Sequence, residues 1–189
     1  MAYQNIHQDI IDKCINGDTK AQFEIYKLYY KAMYNTCLRI IQNRMDAEDV
    51  MQEAFLSAFN RISTYKAEVS FGAWLKKIVI NRSLDHMKKN RPDFTDVLDD
   101  QLDINNGKDE TDNLDVLNIK VNKIKEAINL LPDGYRVVLS LFLLEGFDHD
   151  EIAGILNITS STSRSQYSRA KKKLIEQIKL YSFSPYEKN

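Results

Sequence analysis

Proline and glycine are scarce in this chain, three and six among 189 residues. Long stretches free of both exclude a fold built on many tight turns and favour helices. Cysteine is scarcer still. Cys14 and Cys37 show neither CxxC nor zinc-type spacing, which excludes a disulfide framework and a cysteine-rich metal module and leaves two reduced core residues of a cytosolic protein. No apolar run approaches 18 residues. The longest candidate, 137–144, is too short to span a bilayer and contains Ser140. The N-terminal stretch lacks a basic start followed by an apolar block, so no secretory signal is expected there.

What remains is an ordinary soluble composition, 43 % hydrophobic and 28 % charged, with a net charge of −1. That near-neutral total conceals three blocks. Residues 1–90 hold 13 Lys+Arg against 10 Asp+Glu, residues 91–118 hold 2 against 9, and residues 119–189 hold 11 against 8. Two mildly basic blocks flank an acidic one, and local patches rather than the total decide affinity for phosphate. The acidic stretch is rich in Asp and Asn and poor in aromatics, so it is expected to be a flexible linker with at most transient structure.

Hydrophobic spacing predicts four helices before the linker, over residues 7–16, 19–42, 46–62 and 71–90. Gly17-Asp18 separates the first two. Phe23, Tyr26, Leu28, Tyr30, Met33, Tyr34, Cys37, Leu38 and Ile41 make a broad apolar face on the second. Asp46 opens the third, with Asp49 in a capping-box-like position. Residues 63–70 read as a loop. Four more helices are expected over 119–131, 133–144, 148–156 and 160–179. No strand-like alternation persists, so the fold class is all-α: two small helical bundles joined by a flexible acidic linker.

Residues 148–159 have helix-turn-helix texture. Ile152, Ala153 and Leu156 face inward, Ala153 is small where a second helix must cross, and Ile158 follows the turn. The next helix opens with the hydroxyls of Thr159, Ser160, Ser161 and Thr162, then runs through Arg164, Ser165, Gln166, Ser168 and Arg169 to Lys171, Lys172 and Lys173. Such a helix can read base edges in the major groove while gripping the backbone; a solvated basic face is the plainer alternative.

In the first bundle Asp46, Asp49 and Glu53 share one helix face. They could hold a metal, meet a basic groove on a partner protein, or serve only as acids favoured at a helix N-terminus. Lys77, Asn81, Asp85 and Lys88 form a stripe on the fourth helix, beside a loop bearing Tyr65 and next to Trp74 and Phe71. Basic and amide groups beside aromatics suit single-stranded DNA, although Trp74 also reads as core.

The ordered motifs 46–53 (DAEDVMQE), Phe71-Gly72-Ala73-Trp74-Leu75, Ile78 to Asn81, Leu131-Pro132, Leu144-Glu145-Gly146, Glu151-Ile152-Ala153 and Arg169-Ala170 resemble the extracytoplasmic-function sigma factors of bacterial RNA polymerase. The resemblance covers both bundles. It implies a region 2-like domain at 1–90, a linker at 91–118 and a region 4-like helix-turn-helix domain at 119–189. It implies that Asp46, Asp49, Gln52 and Glu53 meet the clamp coiled coil of the polymerase β′ subunit. Tyr65, Lys77, Asn81, Asp85 and Lys88 are then expected at the opened −10 element. Thr162, Arg164, Ser165, Gln166, Ser168, Arg169 and Lys172 are expected at the −35 duplex. The β flap and an anti-sigma factor are further implied partners, alongside promoter DNA. No cofactor, metal, catalytic residue or membrane insertion is implied. Ser161, Ser163 and Gln166 depart from residues the family often carries, Gln166 replacing a common Arg. Two other functions stay open on the residues: a helical metal-dependent nucleotide hydrolase, which needs a second acidic helix facing the first, and a stand-alone helix-turn-helix repressor.

Overall fold

A computed structural model describes residues 5–91, Phe94 and 121–182, with side chains from 123 to 179 in the last stretch. The chain divides into two compact units, Met1–Pro92 and Asp93–Asn189. Among the described residues the only regular elements are helices. The first unit holds α1 (Gln8–Ile15), α2 (Thr19–Ile41), α3 (Arg44–Asn60), a short 3-10 turn (Ile62–Thr64) and α4 (Phe71–Asn90). The second holds α5 (Val121–Asn129), α6 (Asp133–Leu143), α7 (His149–Leu156) and α8 (Ser160–Ser182).

Caps explain the helix boundaries. Gly17, at φ +85°, ends α1 in a conformation that side-chain-bearing residues rarely adopt. Asp18 then accepts hydrogen bonds from the Lys20 and Ala21 amides at 2.8 and 3.3 Å and starts α2. Helix α3 begins two residues earlier than Asp46. Its cap is Asn43, whose side chain accepts from the Met45 and Asp46 amides. Asp46 and Asp49 therefore lie inside the helix rather than capping it. Ser70 caps α4 by accepting from the Ala73 amide at 3.2 Å.

Helices α2, α3 and α4 pack on one another, and α1 packs on α2. Their shared core includes Ile25, Cys37, Ile40, Ala54, Phe55, Phe71, Leu75, Val79 and Leu84. Fully burying an aliphatic or aromatic side chain is worth about 1.5–3 kcal/mol. Gly72 lets α4 come close to α2: a Cβ there would sit 3.1 Å from the Tyr29 ring. Against the expected broad apolar face of α2, Phe23 is 60 % exposed and Leu28 and Tyr30 are nearly half exposed. The first half of α2 is covered on fewer sides than the second. Both cysteines are buried, and burial is the main cause raising each thiol to a pKa of about 11, with Asp18 and Glu24 adding to it for Cys14.

In the second unit α8 packs against α5, α6 and α7. Ile128, Leu131, Leu139 and Ala170 form one cluster, with Ile124, Tyr135 and Leu174 against it. Arg136 is 1 % exposed. It donates to the Asp133 carboxylate and the Leu131 carbonyl, so its buried charge is compensated. Of the expected linker only Arg91 and Phe94 are described. Phe94 is 2 % exposed, which a fully solvated tether does not produce.

Candidate nucleic-acid and partner interfaces

The helix-turn-helix is built by two caps. Asp148 accepts from the Asp150 and Glu151 amides, and the Glu151 carboxylate accepts from the Asp148 amide at 2.9 Å, a complete capping box at the start of α7. Asn157 ends α7 in the left-handed region at φ 58°, turning the chain tightly into α8. The Thr159 hydroxyl accepts from the Thr162 amide at 3.0 Å, and the two threonine hydroxyls lie 2.8 Å apart. The Ser160 hydroxyl donates to Asp150, linking the two helices.

Helix α8 has two faces. Ser163, Gln166 and Ala170 are buried, while Ser161, Arg164, Ser168, Lys171 and Lys172 face solvent. Thr162, Ser165 and Arg169 are partly exposed between them. Gln166, expected at the −35 duplex, is 1 % exposed and lies on the packing side of the helix. The spacing 163–166–170 could have shown this, because those positions share the face that carries Ala170. His149 on α7 was not singled out from the sequence. Its ring stacks on Phe142 with centroids 4.6 Å apart, meets Tyr167 at 5.6 Å, and Nδ1 lies 2.9 Å from the Ser163 hydroxyl. Desolvation first, and then the Arg164 charge, lower its pKa below the usual imidazole value.

On α3, Asp49, Gln52 and Glu53 are solvent-exposed. They lie on one side between Met45, 77 % exposed, and Leu56, 64 % exposed. Acids and an amide bracketed by two exposed apolar side chains make a surface suited to a protein partner. Asp46 turns away from this set and lies 3.5 Å from His86 Nε2 on α4. The metal reading of Asp46, Asp49 and Glu53 finds no support, since among the described residues no three acidic, histidine or cysteine side chains come together.

On α4, Lys77, Asn81, Asp85 and Lys88 are all exposed, and their spacing places them on one stripe. Tyr65 does not join them. It is half-buried, its ring contacts Phe71 and Trp74 at 5.4 Å each, and its hydroxyl donates to the Val69 carbonyl at 2.6 Å. Tyr65 thus shapes the loop. Asn5 completes that arrangement from 66 residues away. Its side-chain oxygen accepts from the buried Phe71 amide at 2.8 Å, and its nitrogen donates to Gln8 and to the Tyr65 hydroxyl.

A helix-turn-helix with an outward basic face, in one chain with a second bundle bearing separate acidic and basic stripes, defines a DNA-binding transcription factor of two helical units. The comparisons make this specific. Residues 25–92 match the family model Sigma-70 region 2, and residues 122–174 match Sigma-70, region 4. The ECF RNA polymerase sigma factor SigW of Bacillus subtilis (strain 168) is 30 % identical over 173 residues, covering 86 % of this chain and 91 % of SigW. The ECF RNA polymerase sigma-E factor of Haemophilus influenzae is 27 % identical over 186 residues, covering 94 % of this chain and 98 % of that one. The sigma factor RpoE of Bartonella quintana, solved in complex with the anti-sigma factor NepR, shares the fold with a TM-score of 0.57 at 22 % identity, over 83 % of this chain and 96 % of RpoE. The chain belongs to the extracytoplasmic-function family of RNA polymerase sigma factors, and its function is promoter-specific initiation of transcription with RNA polymerase.

Proposed function

We propose that the exposed stripes divide the work of initiation among named residues. Asp49, Gln52 and Glu53 on α3 dock on the β′ clamp of core polymerase, with Met45 and Leu56 adding apolar contact and Asp46 held back by His86. Lys77, Asn81, Asp85 and Lys88 on α4 engage the opened −10 strand, and Tyr65 supports the loop beside them. Arg164, Ser168 and Lys172 on α8 face the −35 duplex, with Thr162, Ser165 and Arg169 at its margin, while Gln166 packs the helix from behind. The observation that carries this reading is the division of α8 into a buried face and a basic solvent face directly after a tight turn.

Binding energy alone drives strand opening in this scheme, and the chain performs no covalent step. Polymerase fixes the spacing of two weak DNA sites, so the isolated factor binds promoter DNA poorly and gains affinity by effective concentration. The second unit also meets the β flap. Because the sigma factor RpoE is solved with the anti-sigma factor NepR, an anti-sigma protein is the regulator we assign to this chain. The chain acts in the cytoplasm, alongside polymerase. No helix among the described residues is long and apolar enough to cross a membrane.

Paired variants test the division. Arg164→Ala with Arg169→Ala should weaken promoter binding by the assembled holoenzyme, while Asp49→Ala with Gln52→Ala should weaken assembly with core polymerase. Equal loss of both activities in both variants would refute it. A stand-alone repressor would bind its operator tightly without polymerase.

A further inference from the structure

Two arginines that the sequence did not single out converge on one hydroxyl. Arg61 follows the C-terminal end of α3 and Arg82 lies in the middle of α4. Arg61 Nη2 donates to Ser57 Oγ at 2.8 Å, and Arg82 Nη2 approaches the same oxygen at 3.4 Å. Both side chains are exposed, and neither guanidinium is ion-paired among the described residues. Two like charges brought together over a neutral hydroxyl repel one another. An anion placed between them removes that repulsion and accepts charge-assisted hydrogen bonds from both.

The surroundings indicate which anion. A surface groove lined by Glu53, Leu56, Ser57 and Asn60 adjoins a second groove lined by Ile78, Asn81 and Asp85, and Arg61 and Arg82 line both. The arginine pair therefore sits where the two grooves meet, beside the amide of Asn81. Glu53 and Asp85 stand on opposite sides of that junction and disfavour a multiply charged free ligand. A singly charged phosphodiester, in a strand that runs on along the second groove past Asn81 and leaves Glu53 and Leu56 to the polymerase contact, suits the site better.

We propose that Arg61 and Arg82, held together over Ser57, bind one backbone phosphate of the opened DNA strand and thereby set the register in which a base meets Asn81. This rests on the reading of the α4 stripe as a single-strand surface. The pair would add a positioning contact that carries no sequence information itself.

The test uses holoenzyme assembled with the full chain at saturating factor, and a fork-junction oligonucleotide built from a start site mapped with this factor. Single phosphates of its unpaired strand are replaced one at a time by neutral methylphosphonates. With the unaltered factor, one position should cost about tenfold in affinity, the lower end for a hydrogen bond to a charged group. With Arg61→Gln plus Arg82→Gln, affinity for the unmodified DNA should fall by a similar factor and that position should become silent. The slope of log affinity against log salt should fall by about 0.7, the value for one single-strand phosphate contact. Ser57→Asp, which seats a carboxylate between the guanidiniums without removing them, should silence the same position. Its urea midpoint, with those of the glutamine variants, establishes that the fold is kept.

Asn81→Ala separates the two levels of the argument. If Asn81→Ala weakens binding but no phosphate position is silenced by the arginine variants, the phosphate site is wrong and the single-strand surface stands. If neither set of changes alters binding, both are wrong.

Discussion

Asn5 ties the segment before α1 to the 63–70 loop and the start of α4, and its removal has a calculable cost. The residue is 8 % exposed. Asn5→Ala leaves the Phe71 amide, buried and 2.8 Å from its present acceptor, without a partner. It also removes the donor to the Tyr65 hydroxyl, although Tyr65 keeps its bond to the Val69 carbonyl. An unsatisfied buried donor costs about 1–3 kcal/mol. With a urea dependence of about 1–3 kcal/mol per molar for a unit of this size, the midpoint should fall by about 1 M. The chain carries one tryptophan, Trp74, and its ring lies 5.4 Å from both Tyr65 and Phe71. Its fluorescence reports on the first unit alone and on the very contacts at issue. Asn5→Asp retains an acceptor for the Phe71 amide and should recover part of the loss. An unchanged midpoint in Asn5→Ala, or an equal fall in both variants, would refute the assignment of that cost to the Phe71 amide.

Three further outcomes are expected. Because burial and Arg164 lower the His149 pKa below 6.5, the unfolded chain takes up this proton first as pH falls. The second unit should lose stability below about pH 6.5 and keep it above; His149→Phe should flatten that dependence in urea melts followed by circular dichroism, and an identical pH dependence counts against it. Asn157→Val should cost about 1–2 kcal/mol by forcing a β-branched residue into the left-handed region, while Asn157→Gly should be nearly neutral; equal melting temperatures for the two would contradict the strain argument. Cys14 and Cys37, buried with pKa values of about 11, should resist a thiol reagent at pH 8 until urea unfolds the first unit, and rapid labelling of the native chain would show the burial to be wrong.

The parts of this fold that were legible in the sequence are those decided within a few residues. Gly17-Asp18 marks a helix end because a cap acts over one turn, and α4 spans Phe71–Asn90 as its spacing predicts. Asn43 was passed over because Asp46 and Asp49 look more like a capping pair, yet the cap goes to the residue whose backbone is extended, and that is Asn43. Phe23 was placed inward because periodicity shows which face is apolar and not how far along a neighbouring helix covers it. Gln166 was judged by chemical type, although its register with Ser163 and Ala170 put it inside.

The features that escaped depend on residues far apart in sequence. Asn5 meets Phe71 across 66 positions, and Arg61 meets Arg82 over Ser57 only because α3 and α4 lie side by side. A surface groove between neighbouring helices is lined from both, so its donors come from different elements and leave no short motif. A stripe on one helix, such as Lys77, Asn81, Asp85 and Lys88, can be found by counting along the chain. The two arginines that meet over Ser57 beside that stripe can be found only after the helices are packed.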